Sequence, residues 1–239
     1  MKYVRDTTHR FRLRPHYERK ELDDECEHII STFMQELHGR LIFPLSTDDL
    51  TKLIERDAAD LDLYADLTDE GDDVEGVTYF QPHQKPIVRI SNRLSEGSQL
   101  EYRLHTTLTH EYGHVKFHAP LWQAMNTSPL ALFTDLPSAT TQKCQRATIT
   151  QAPTIDWMEW QAGYVCGALL MPISALRTIV QSYFERYDLY TPPHQASQAA
   201  RKLIYQVATH FAVSQDAARV RLIKLGYMTE QEVGPTLFG

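Results

Sequence analysis

Cysteine is scarce in this chain. The three residues Cys26, Cys144 and Cys166 make an odd number with no CxxC pair, which argues against a disulfide framework and for a reducing compartment. Long apolar runs are missing too: none approaches the roughly 20 residues that a membrane span needs. The opening stretch MKYVRDTTHRFRLRPHYERK is basic and lacks the apolar centre of a signal peptide, so a cytoplasmic location and no membrane partner are expected. Positive charge is not in excess. The net charge of −7 excludes a whole-protein electrostatic grip on nucleic acid. There is no internal repeat and no low-complexity segment. What is present is an ordinary globular composition, 42% hydrophobic and 23% charged over 239 residues, enough for one large domain or a domain with a small appendage.

Charge is unevenly spread. Residues 2–20 hold seven Lys and Arg, whereas 57–75 hold nine Asp and Glu; both runs read as solvated surface, with a basic arm toward nucleic acid as the sharper alternative. Apolar positions Leu22, Cys26, Ile29, Ile30, Phe33 and Leu37 recur at helical spacing and predict a helix from Glu18, ended by His38-Gly39. STDDLTKLIERD predicts a second, short helix capped by Ser46 or Thr47. DLDLYADL reads as extended. VTYF and IVRI, separated by QPHQKP, read as strands of a small antiparallel sheet, one of them an edge to which an extended peptide can add. A helix is expected from about Leu100 to His118, then an irregular connection over 119–155 broken by four prolines. Helices follow over 154–171 and after Pro172. The breaker TPPHQAS suggests a subdomain boundary, and the tail reads as two short helices with Val213 and Ser214 at their turn.

The chemistry gathers in THEYGHVKFH. His110 and His114 are four apart, so on a helix both rings leave one face a turn apart and can reach one tetrahedral ion. Glu111, rotated by about 100°, falls beside the ion, where it can take a proton from water. Zinc is the expected ion, since imidazole and carboxylate suit it and no redox role is evident. His118 continues the series, but it lies about 12 Å from His110 along a straight helix axis and is expected to support the ligands from behind. The metzincin pattern fails for want of a glycine and histidine at its spacing. A third donor must come from elsewhere. In DWMEWQAGYVCGALLMP, Glu159 shares a face with small residues that allow close helix approach; spacing alone reads it equally well as a ligand or as an exposed carboxylate.

The two motifs together resemble the ImmA/IrrE family of metallo-endopeptidases, which typically shows HExxH with a histidine four further on, then ExxANxFAxxLLMP. His110, Glu111 and His114 match HExxH; Glu159 matches the third ligand; Leu169 to Pro172 match LLMP. Gly163 departs from the usual asparagine, and Val165 and Cys166 from the usual FA, which bears on packing and removes no ligand. The resemblance covers about residues 18–230. It implies a mainly helical α+β fold: a zincin-like peptidase core over 1–190 with a small antiparallel sheet and a basic arm, and a helix-turn-helix-like subdomain over 191–239. It implies a gluzincin-type zinc peptidase that cleaves a helix-turn-helix repressor and so releases a mobile-element, stress or defence operon. Tyr112, His118 and Tyr164 are candidates for the support of the ligands or the oxyanion.

Two further expectations concern regulation. Cys144, flanked by Lys143 and Arg146 in the long connection, sits where a thiolate is favoured and is a candidate fourth ligand that holds the enzyme silent; the plainer reading is an inert thiol. The tail VATHFAVSQDAARVRLIKLG has a helix-turn-helix outline offering Gln215, Arg219 and Arg221 to DNA, against a plainer helical pair packed on the core. The alternative function is a DNA- or partner-binding regulator with a structural zinc, and a nucleic-acid activator is a candidate partner.

Overall fold

The computed structural model describes residues 1–81, 84–95, 100–126, 140–145 and 156–230, with backbone alone at 123–126 and 140–145. Strands β1 (Lys2–Arg5) and β2 (Leu13–His16) form an antiparallel hairpin. Helix α1 (Arg19–His38) starts at a capping box made by Glu18 and Glu21, and ends where Gly39 takes φ 69° and donates its N–H to Gln35. Helix α2 (Thr47–Asp57) has the same device, with Ser46 and Asp49 satisfying each other's backbone N–H. Strands β3 (Asp60–Ala65), β4 (Val74–Phe80), β5 (Ile87–Ser91) and β6 (Thr140–Gln145) make a four-stranded sheet in the order β3-β5-β4-β6.

The mainly helical α+β architecture holds, but the sheet is mixed. β3 runs parallel to β5, while β4 is antiparallel to both β5 and β6. VTYF and IVRI are therefore both interior strands, and the expectation that one of them is a free edge is corrected. The reason is that DLDLYA pairs on one side and TTQKCQ on the other.

Helix α3 (Glu101–Gly113) packs against this sheet and continues through a π-helical turn at His114–His118 into α4 (Ala119–Asn126). The helix thus runs past Pro120, where an irregular chain is expected from the sequence. A wide turn has already left the i→i−4 ladder at this point, so a residue without an N–H is accommodated. Helices α5 (Trp157–Leu170), α6 (Ile173–Arg186), α7 (Gln198–Phe211) and α8 (Gln215–Lys224) complete the chain. The buried core is continuous from Leu22 on α1 through Leu108 and Leu169 to Phe211 and Leu222 on the last two helices. A smaller cluster of Phe11, Phe80, Trp122, Trp157 and Met158 seats the N-terminal hairpin. No single helix among the described residues is long and apolar enough to cross a membrane.

Candidate metal centre

Close approach of α3 and α5 creates the site. Gly113 lies against Ala162 so tightly that a Cβ there would stand 3.0 Å from the Ala162 Cα. With the helices this near, side chains one turn away on each meet across the gap. Helix α5 is fixed at its start by Asp156, whose Oδ1 accepts from the N–H groups of Met158 and Glu159 at 3.0 and 3.5 Å. Arg10 of the N-terminal loop holds that carboxylate at 2.6 Å, and Arg14 lies over the Trp157 ring. Two cations of the basic arm are therefore engaged in positioning the helix that carries Glu159.

His110, His114 and Glu159 converge, all buried. The His110 and His114 Nε2 atoms are 3.2 Å apart, His110 Nε2 is 3.2 Å from Glu159 Oε2, and His114 Nε2 is 3.3 Å from Glu159 Oε1. A tetrahedral ion with bonds of about 2.0–2.1 Å separates its ligands by roughly 3.3 Å, the spacing of the two Nε2 atoms, with one Glu159 oxygen beside each of them. The group can hold a metal ion. Burial drives the Glu159 carboxyl up, yet the two histidines outweigh it and hold it well below the usual carboxylate range. Burial lowers His114, and Glu159 more than restores it. Glu159 and His114 thus favour opposite charges that complement each other, an attraction that an ion would replace on displacing the His114 proton.

His118 points away from this face and serves His114 instead. Their Nδ1 atoms are 2.9 Å apart, and His118 Nε2 is 3.1 Å from Gln161 Oε1. Burial, reinforced by His114, holds His118 well below its ordinary pKa, so it is neutral. One assignment satisfies every partner: His118 donates from Nε2 to Gln161 and accepts at Nδ1 from His114. Gln161 in turn donates to the Pro15 carbonyl at 3.3 Å. That chain fixes the His114 tautomer with a lone pair on Nε2, the atom on the metal face.

Glu111 is wholly buried. Thr78 on β4 donates to its Oε2 at 2.5 Å, while its Oε1 and His110 Nδ1 have no protein partner among the described residues. Burial raises the Glu111 carboxyl against the pull of both histidines and Thr78, which makes it a better proton acceptor than an exposed carboxylate. Gly76 makes room for it: a Cβ there would meet Glu111 Oε1 at 2.7 Å and the Thr107 methyl at 2.9 Å.

Two candidates are corrected. Tyr112 donates to Asp57 at 2.8 Å and Tyr164 to Asp23 at 2.7 Å, because each leaves its helix on a face turned from the metal group. Cys144 is placed by backbone alone, on β6 in register with Gly76; what its thiol does lies outside the described residues. Arg221, a candidate for DNA contact, is buried in a salt bridge with Asp23 at 2.6 Å, and Arg219 binds Asp216 and Gln195. Gly76, Thr78 and Gln161 are positions beside the candidate site that sequence reasoning passes over. No protein-family model matches the chain, and no curated protein matches it significantly.

Proposed function

We propose that the chain is a zinc-dependent endopeptidase of the ImmA/IrrE kind, cleaving a helix-turn-helix repressor and so relieving repression of the genes it controls. The observation that supports this reading is the convergence of three buried donors, with the His110 and His114 Nε2 atoms 3.2 Å apart and each within 3.2–3.3 Å of a different Glu159 oxygen, beside a buried carboxylate with one oxygen unpartnered among the described residues. Among the described residues three protein donors meet, which leaves one tetrahedral position for water, the pattern of a catalytic zinc; a structural zinc closes all four with protein. Zinc, when bound, would make water acidic and polarise the scissile carbonyl.

The chain's own residues supply the rest. Glu111 takes a proton from the attacking water at Oε1 and returns it to the departing amine. Thr78 holds Oε2 so that Oε1 keeps its aim, and Gly76 leaves the approach open. His118 and Gln161 keep His114 in the ligating tautomer. In a purified mixture with zinc and the repressor encoded beside it, Glu111→Gln is expected to reduce cleavage by about 10²–10⁴-fold while retaining metal by elemental analysis. Cleavage that persists in this variant rejects the peptidase reading.

Cys144 enters this reading through the register of β6, which sets it across from Gly76 and hence near Glu111 along the strand pair. A thiolate at the fourth position would keep the enzyme silent until withdrawn. Cys144→Ala should then raise basal proteolysis; an unchanged basal rate dismisses the switch.

A further inference from the structure

The outer face of α7 is exposed among the described residues. Its inner face, Leu203, Ile204, Val207, Ala208 and Phe211, is buried, while Arg201, Lys202, Tyr205, Thr209 and His210 are exposed. Between that face and the end of α6 runs a groove of about 700 Å³, lined by Tyr183, Tyr187 and Tyr205, by Arg201 and Lys202, and by amide and hydroxyl groups. The Tyr183 and Tyr187 rings lie 4.6 Å apart, and the Tyr183 hydroxyl donates to the Ala199 carbonyl at 2.9 Å, so the pair is anchored. Lys202 Nζ stands 5.7 Å over the Tyr187 ring. Tyr205, 62% exposed, covers nothing.

This region, like the N-terminal stretch, is basic within an acidic protein. Residues 173–224 carry seven Lys and Arg against three Asp and Glu, a net +4 in a chain of −7, and no acidic residue occurs from Leu189 to Gln215. On α6, Glu185 is two positions from both Tyr183 and Tyr187, and so lies on the far side of the helix from the ring pair. Exposed aromatic faces interleaved with cations and amides are the chemistry that stacks unpaired bases and follows a phosphate backbone.

We propose that the groove between α6 and α7 binds single-stranded nucleic acid. A base stacks on Tyr205, and a second displaces Lys202 from the Tyr187 face. The freed ammonium then meets a phosphate together with Arg201. Gln198 and Gln206 offer hydrogen bonds that any base can use. An acidic peptide would match the cations but would leave the tyrosines without a stacking partner.

The test uses fluorescence anisotropy of a labelled fifteen-residue oligothymidylate with the full chain carrying Glu111→Gln, so that failure of the peptidase reading has no bearing on the result. Tyr205→Ala should weaken binding by about 5- to 150-fold and leave the salt dependence unchanged, with Tyr205→Phe retaining affinity. Arg201→Ala and Lys202→Ala should each flatten the log–log salt slope by about 0.7. The duplex of the same length should bind more weakly. Binding indifferent to Tyr205→Ala, equal binding of duplex, or tighter binding of polyglutamate than of the oligonucleotide would each overturn the proposal. Tyr205 is a surface residue, and circular dichroism checks that its variants fold.

Discussion

Two buried polar clusters share helix α5. Toward α3, Glu159 meets His110 and His114, with Glu111 close by; toward α1, Tyr164 meets Asp23 and Arg221. Around Asp23 the groups consume one another: Oδ1 accepts from Arg221, Oδ2 from Tyr164, and Arg221 also reaches the Met171 carbonyl at 3.3 Å. On the metal side the donor atoms converge on a common point, and Glu111 Oε1 faces no protein donor among the described residues. Around Asp23 both carboxylate oxygens are taken by protein donors, and Arg221 Nη1 alone of that cluster is left without a partner among the described residues. The other cluster could hold a metal ion, because three donor atoms from His110, His114 and Glu159 lie together. Burial and charge are alike in both; what separates them is the convergence of donor atoms.

The contrast is broken most forcefully at Arg221. Arg221→Ala strands a buried carboxylate, and should destabilise the fold by about 3–5 kcal/mol in urea unfolding while leaving the metal affinity of the folded fraction unchanged. A parallel loss of metal affinity would show that the clusters are one network. Gln161→Leu works on the other side. It removes the acceptor that sets the His118 tautomer, and metal affinity should fall roughly 10–100-fold in competition with a chromophoric chelator, with little change in melting temperature. The smallest effect is expected from Tyr112→Phe, which deletes the hydrogen bond to Asp57 for about 1 kcal/mol and leaves kcat alone. Loss of activity by about 10²-fold or more would restore Tyr112 to the oxyanion.

The candidate metal ligands were legible in part: helical spacing brings His110 and His114 together, whereas Glu159 is even between ligand and exposed carboxylate on spacing and is singled out by the family resemblance. Glu111 followed from the same geometry. Gly76 and Thr78 were not, since a strand residue reveals which helix it faces only when the sheet is assembled. Arg221 was read as available to DNA because its partner, Asp23, is 198 residues away and no local pattern links them. The tyrosines misled for the same reason: a hydroxyl next to a catalytic motif looks functional until a distant carboxylate claims it. The sheet's mixed direction comes from β3 pairing parallel to β5, and the interior place of β4 comes from β6, drawn from a segment expected to be irregular.

The π-turn from His114 to His118 has a consequence for how this helix tolerates insertion and deletion. Removing one residue between Val115 and Phe117 would restore the regular ladder and favour the isolated helix. The same deletion would swing His118 off the line joining His114 to Gln161, and the ligating tautomer would lose its support. At this turn the backbone keeps one residue more than its own hydrogen bonding asks for, and the seat of His118 between His114 and Gln161 depends on it.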